Sequence, residues 1–206
     1  MRRRNYIGKV LFQVILFVFL FNSNGWAIRS GFSGTCQLSN VRIDGSTNVN
    51  QFHFYYAHPQ NENFSLTSLP GGAPDDGSLT FYIPIEQIDA SNPAMLDDFK
   101  ELLQASKYPK IKITISNDEL LHIFSSNHID NIPLDITISG ITNDYETPVE
   151  VNTNEENRVV MKGRTRIQLT DYNLSPPRRF LGMIRVKNEV FINFEINLIT
   201  QKANSP

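Results

Sequence analysis

The decapeptide Val190-Phe191-Ile192-Asn193-Phe194-Glu195-Ile196-Asn197-Leu198-Ile199 decides the fold. Val190, Ile192, Phe194, Ile196 and Leu198 fall on one side of an extended chain, and Phe191, Asn193, Glu195 and Asn197 fall on the other, because successive strand side chains point to opposite faces. A run that alternates this cleanly is a half-buried antiparallel strand. Upstream the pattern recurs. Val159, Met161, Gly163, Thr165, Ile167 and Leu169 alternate with Lys162, Arg164, Arg166 and Gln168. Ile132, Leu134, Ile136 and Ile138 alternate with Asp135, Thr137 and Ser139. Ile111, Ile113 and Ile115 alternate with Lys110, Lys112 and Thr114, and Phe81, Ile83 and Ile85 with Tyr82, Pro84 and Glu86.

Weaker runs near 36–44, 49–57, 119–125 and 145–152 bring the expectation to eight or nine strands. Turn-forming residues separate them at 71–77, Asn117-Asp118, Asn143-Asp144 and 152–157, and the segment 59–78 reads as one long surface loop. One helix interrupts the series. Asn92 suits its N-cap and Pro93 its first position, and Asp97 and Asp98 complement its dipole. Met95, Phe99, Leu102 and Leu103 form its apolar stripe, read as core packing, and Tyr108-Pro109 ends it. Strands with one apolar face each must close on themselves or stack as two layers. Long strands with mostly short connections favour closure into an all-β antiparallel barrel. About eight strands leave a lumen that side chains fill or that holds one slim ligand.

The N-terminal residues read separately. Arg2, Arg3, Arg4 and Lys9 precede an apolar run from Val10 to Phe21, and Gly25-Trp26-Ala27 supplies a cleavage-like site, so residues 1–27 are expected to be a signal peptide. The run is too short to span a bilayer core about 30 Å thick comfortably. Residues 28–206 then form a single domain exported to the periplasm or secreted, with no integral span after cleavage. Removing four of the 19 basic residues and none of the 21 acidic ones leaves a formal −6. That balance argues against nucleic acid, or an anionic lipid surface, as the main partner. Cys36 is the one cysteine and excludes an intrachain disulfide; it reads as a small buried strand residue.

Motifs that carry chemistry are sparse. His53, His58, His122 and His128 have no partner at metal-ligand spacing, and neither a nucleophile elbow nor a phosphate-cradling glycine loop is present. Asp97 and Asp98 have a helix-terminus role already. The expectation is a binding protein rather than an enzyme, with no cofactor and no metal.

An ordered set of segments then carries a resemblance. Gly45-Ser46-Thr47-Asn48-Val49 with Phe52 opens the first paired strands, and an aliphatic strand ending at Ile88-Asp89 leads into the helix. Lys107-Tyr108-Pro109-Lys110-Ile111 starts the next strand, and Ile138-Ser139-Gly140-Ile141-Thr142 follows. Across roughly 38–200 the chain resembles the YceI-like family of periplasmic proteins. The resemblance implies an extended, lipocalin-like eight-stranded antiparallel barrel with one short amphipathic helix, binding a polyisoprenoid or other long-chain lipid in its lumen without metal or catalysis. Phe52 and Tyr108 match family positions. By strand pattern, Phe54, Tyr56, Phe81, Ile83, Ile85, Ile113 and Ile136 join them as the expected lumen lining. Two segments depart: Asp97-Asp98 stands where many members have an Arg-Asp pair, and Thr170–Asn173 replaces an Arg-x-x-Phe-Gly segment, so the head-group contacts are the least transferable part. The alternative is a structural or stress-related interaction module with a filled core, and a homodimer is compatible with either reading.

Overall fold

The computed structural model describes residues 31–67, 77–125, 131–153, 158–179 and 183–202; the expected leader lies outside them. The main strands are β1 (Gly31–Ser46), β2 (Gln51–Tyr56), β3 (Gln60–Thr67), β4 (Ser78–Pro84), β5 (Asp89–Ala90), β6 (Lys110–Ser116), β7 (Asn131–Ile138), β8 (Ile141–Thr153) and β9 (Arg158–Gln168), followed by the short pair β10 (Arg178–Arg179) and β11 (Ile184–Arg185) and by β12 (Glu189–Lys202). One antiparallel sheet runs β4-β6-β7-β8-β9-β12-β1-β2-β5, with β3 on the same edge of β1 as β2. Because β2 and β3 share one side of β1 end to end, the long strands number eight, curled as in a lipocalin-like barrel. Among the described residues no helix is long and apolar enough to cross a membrane.

The decisive decapeptide lies at the centre of this sheet. Strand β12 pairs β9 on one side, with Phe194 opposite Gly163, and β1 on the other, with Ile192 opposite Ile43. Its inward residues Val190, Ile192, Phe194, Ile196 and Leu198 are all buried. In β1 the inward set changes parity, from Cys36 and Leu38 to Val41 and Ile43, across a register shift between Leu38 and Asn40. A bulge is the way a strand flips parity without turning its apolar face to water. The break between β2 and β3 falls opposite it. Burial pushes the Cys36 thiol pKa up, helped by the nearby Glu62 carboxylate.

The curl closes in two ways. A 3-10 turn at Ile85–Gln87 carries the chain from β4 to β5, and β5 pairs β2 through Phe54–Ala90 and Tyr55–Asp89. Where β3 passes β4, the described residues share no ladder. Instead the Gln60 side chain acts as a peptide would: its amide donates to the Tyr82 carbonyl and its Oε1 accepts from the Tyr82 N–H at 3.2 Å.

Two helices cover the ends. A 3-10 turn at Pro93–Met95, begun by Met95 N–H donating to the Asn92 carbonyl at 3.0 Å, leads into α1 (Leu96–Leu102), whose first turn holds Asp97 and Asp98. This helix lies at the end where β1 stops and β12 starts. The other end is closed by α2 (Asn117–Ser125), in part of which a strand was expected. The Ser116 hydroxyl accepts from Glu119 N–H at 3.2 Å, and Asp118 and Glu119 occupy the first turn, so the N-terminus is capped and charged for a helix. Leu120 and Ile123, three apart, are buried together.

Two other expectations change. The first half of the expected 59–78 loop is β3, needed because β1 begins earlier than its apolar run shows and its edge requires a partner. Asn143-Asp144 is not a turn but lies within β8; the reversal is at Ser139-Gly140, with φ of 51° and 80°. Two successive left-handed residues give the tight hairpin that suits the twist of its strands.

Candidate functional site

Inward side chains do not fill the barrel evenly. Beneath α1 they leave a cavity of about 240 Å³. Phe52 and Phe54 of β2 form one wall, with ring centroids 5.6 Å apart edge to face, and Phe99 of α1 stacks on Phe54 at 4.1 Å. Met95 and Leu102 complete the helix side. Ile43, Ile138, Ile167 and Ile192 form the floor from four strands, and Ile184 and Val186 border it on the hairpin side.

Gly45 pairs with Phe52 across β1 and β2, and a Cβ there would sit 2.2 Å from Phe52 Cζ. Only glycine lets that ring lie flat on the strand and face the void. Polar atoms gather at one rim. Thr47 Oγ1 donates to Asn50 Oδ1 at 2.6 Å, and Asn92 and half-buried Asp98 lie on the α1 side.

Of the nine residues expected to line a lumen, Phe52 and Phe54 border the cavity. Tyr56, Phe81, Ile83, Ile85, Ile113 and Ile136 point inward as expected but are sealed in the core away from it. Tyr56 uses its hydroxyl to accept from Gln60 Nε2 beside the seam. Tyr108 is half-buried: its ring covers Gly140, where a Cβ would lie 2.6 Å from Cε1, and Lys107 Nζ stands 4.9 Å above it. It therefore holds the β7–β8 turn, which the Ser139 hydroxyl also ties to the Leu103 carbonyl at 2.8 Å. Phe99, Met95 and Leu102 pack against the core as their helical stripe implies, and on one side they also border the cavity, as Ile43, Ile138, Ile167 and Ile192 do.

An aromatic- and aliphatic-walled void under a helical cover has the make-up of a small-molecule site. The comparisons with known proteins agree on the scaffold. The family model of the YceI-like domain matches residues 37–198. The chain belongs to the YceI-like family. Similar solved structures include BcnA of Burkholderia cenocepacia, with TM-score 0.55 and 18% identity over 77% of this chain and 94% of that one. They also include a polyisoprenoid binding domain of Saccharophagus degradans implicated in plant cell wall breakdown, with TM-score 0.60 and 10% identity over 82% of this chain and 99% of that one. At these identities the likeness is one of fold. No curated protein matches the chain.

The second polar focus of this YceI-like barrel lies on its outer wall. Asp44 Oδ1 meets Arg42 Nε at 2.8 Å and His53 Nδ1 at 2.7 Å, while Asn193 Nδ2 donates to Asp44 Oδ2 at 2.9 Å. Burial works against the charged form of Asp44, but hydrogen bonds from Arg42, His53 and Asn193 outweigh it and hold the carboxyl below its usual range. The cluster ties β1, β2 and β12 together on the face away from the cavity.

At the far side of the α1 end, Tyr172 plugs the interior, donating to the Ile136 carbonyl at 3.2 Å. Burial, followed by the neighbouring Tyr145 hydroxyl, pushes its phenol up, so it stays protonated.

Proposed function

We propose that this YceI-like protein is an exported carrier or sequestering protein that binds a long-chain hydrophobic ligand, an isoprenoid or another lipid, by inserting one end of the chain into the cavity beneath α1. The reading is one of binding without catalysis. The observation that carries it is the void itself. Its aliphatic and aromatic lining leaves about 240 Å³ free beneath α1, open at a polar rim. Elsewhere the same strands pack with their side chains fully buried.

Size sharpens the ligand class. A cavity of about 150 Å³ accepts one benzene, so this one takes on the order of ten carbon atoms. Ten methylenes at about 0.8 kcal/mol each give roughly 8 kcal/mol. That is comparable with the 4–15 kcal/mol or so that association costs. A ten-carbon ligand would bind weakly. A longer chain, with its first half in the cavity and the remainder against the rim formed by α1 and the β10–β11 hairpin, binds firmly.

The test is organic extraction of the purified protein followed by lipid mass spectrometry, with uptake of a fluorescent long-chain fatty acid by the stripped protein. Ile192→Phe, which fills the floor of the cavity, is expected to weaken uptake about tenfold or more, some 1.4 kcal/mol, while the fold is kept. A filled-core interaction module would yield no extractable lipid and no uptake, and Ile192→Phe would change nothing.

A further inference from the structure

We propose that the rim of the barrel formed by Val49 and the segment Met183–Lys187 docks onto an anionic membrane surface. Four basic residues, Arg178, Arg179, Arg185 and Lys187, lie within ten positions, and no acidic residue occurs between Asp171 and Glu189. This local excess stands out in a chain whose remainder is acidic, and whole-chain charge hides it. Arg185 and Lys187 flank Ile184 and Val186, which border the void together with Pro177, while Asp98 borders it from α1.

Charge alone would mark any polyanion as the partner. Apolar exposure narrows it. Met183 and Val49 are 70% and 66% exposed, the two most exposed large hydrophobics among the described residues. The segments that carry them are tied together through Asn48. Asn48 Nδ2 donates to the Met183 carbonyl at 2.8 Å, Asn48 Oδ1 accepts from Arg185 N–H at 2.9 Å, and Asn48 N–H donates to the Arg185 carbonyl at 3.1 Å. Lys187 N–H donates to the Ser46 carbonyl at 2.8 Å, and Thr47 pairs with Val186. The Ser46–Asn50 turn is itself closed by Thr47 N–H on the Asn50 carbonyl at 2.7 Å. Two segments 135 residues apart are thus fixed as one rigid ledge. Apolar tips that enter the headgroup region, flanked by the exposed cations Arg185 and Lys187 that meet lipid phosphate, form a peripheral membrane anchor.

The docking claim does not depend on what occupies the cavity, so it is tested on vesicles without added ligand. Residues 28–206 carrying Met183→Cys, without the basic and apolar leader that would itself bind anionic vesicles, are labelled with a polarity-sensitive fluorophore; buried Cys36 stays unlabelled in the folded protein, as mass spectrometry verifies. A second sample is labelled at Tyr82→Cys. Tyr82 is exposed on the outer wall of β4, with Lys110 Nζ at 5.3 Å and Lys112 Nζ at 5.8 Å from its ring, and it controls for any exposed ring beside lysines. With phosphatidylglycerol vesicles the Met183 label is expected to shift to the blue and the Tyr82 label to stay unchanged; neither should respond to phosphatidylcholine. Neutralising the ledge with Arg185→Gln and Lys187→Gln is expected to weaken the response about 25-fold, a factor of about five for each cation removed. An equal shift at both positions, no shift at Met183, or a shift unaffected by the neutralised pair overturns the proposal.

Discussion

Under α2 the inward side chains of the barrel, among them Ile115, Ile132, Leu134, Ile196 and Leu198, are sealed against one another and against Leu120 of the helix, whereas under α1 Ile43, Ile138 and Ile192 stop short and leave about 240 Å³. Both ends use the same strands and the same alternation. They differ in how the cover arrives. Helix α2 follows β6 without a spacer, capped by the last residue of that strand, and buries two aliphatic side chains. Helix α1 is reached through a two-residue strand and a 3-10 turn, and its Phe99 stacks on Phe54. Alternation determines which way a side chain points. The covering element decides whether it meets a partner when it gets there.

That contrast can be broken by truncation. Leu134→Ala, in the sealed end, is expected to lower the unfolding free energy by about 3–4 kcal/mol in urea titration, and Leu102→Ala, at the cavity, by only about 1 kcal/mol. Equal losses would mean that the two ends are packed alike.

The two glycines that seat aromatic rings sharpen the same point. At Gly163 a Cβ would lie 2.1 Å from Cζ of Phe194, a ring enclosed by the sheet, so Gly163→Ala is expected to cost about 1–3 kcal/mol. Gly45→Ala strikes Phe52 at a similar distance, but that ring borders the void and can swing into it. Its expected cost is below about 1 kcal/mol, with fatty-acid uptake reduced because the displaced ring occupies the cavity.

The smallest effect belongs to the outer wall of the α1 end, on the face away from the cavity. The Asp44 carboxyl is held below its usual range by its partners, so the stability it contributes is present above its unfolded value of about 3.9 and is lost as the pH falls through its lower folded value. Asp44→Asn is therefore expected to be less stable than the parent at pH 7 by about 1 kcal/mol. The gap should close in urea titrations taken progressively below about pH 3.9, with probe uptake unaffected throughout.

Much of the scaffold was legible because period two leaves few alternatives. The inward faces of β4, β6, β7, β9 and β12 are those that the residue pattern marks. What misled was local. Leu120, Leu121 and Ile123 fit either period over so short a span, and the Ser116 cap that settles the matter is a single hydroxyl. Asn143-Asp144 has turn chemistry, but Ser139-Gly140 four residues earlier makes the reversal, and once it has turned the chain the later pair is carried along β8 opposite Ile136 and Asp135. The cavity was legible only in part. Phe52 and Phe54 are alternating residues like Phe81 and Ile113, and nothing in the alternation encodes height along the barrel. Height, together with the stacking of Phe99, separates residues that border a void from residues that fill one.

The Gln60 fastening bears on where such a container can part. Along most of the wall, separating neighbours means breaking a ladder of main-chain bonds. Between β3 and β4 the described residues are latched by one carboxamide making two links to Tyr82, each worth about 0.5–1.5 kcal/mol. In a wall hooked shut in this way, the line of least resistance to parting runs through one side chain.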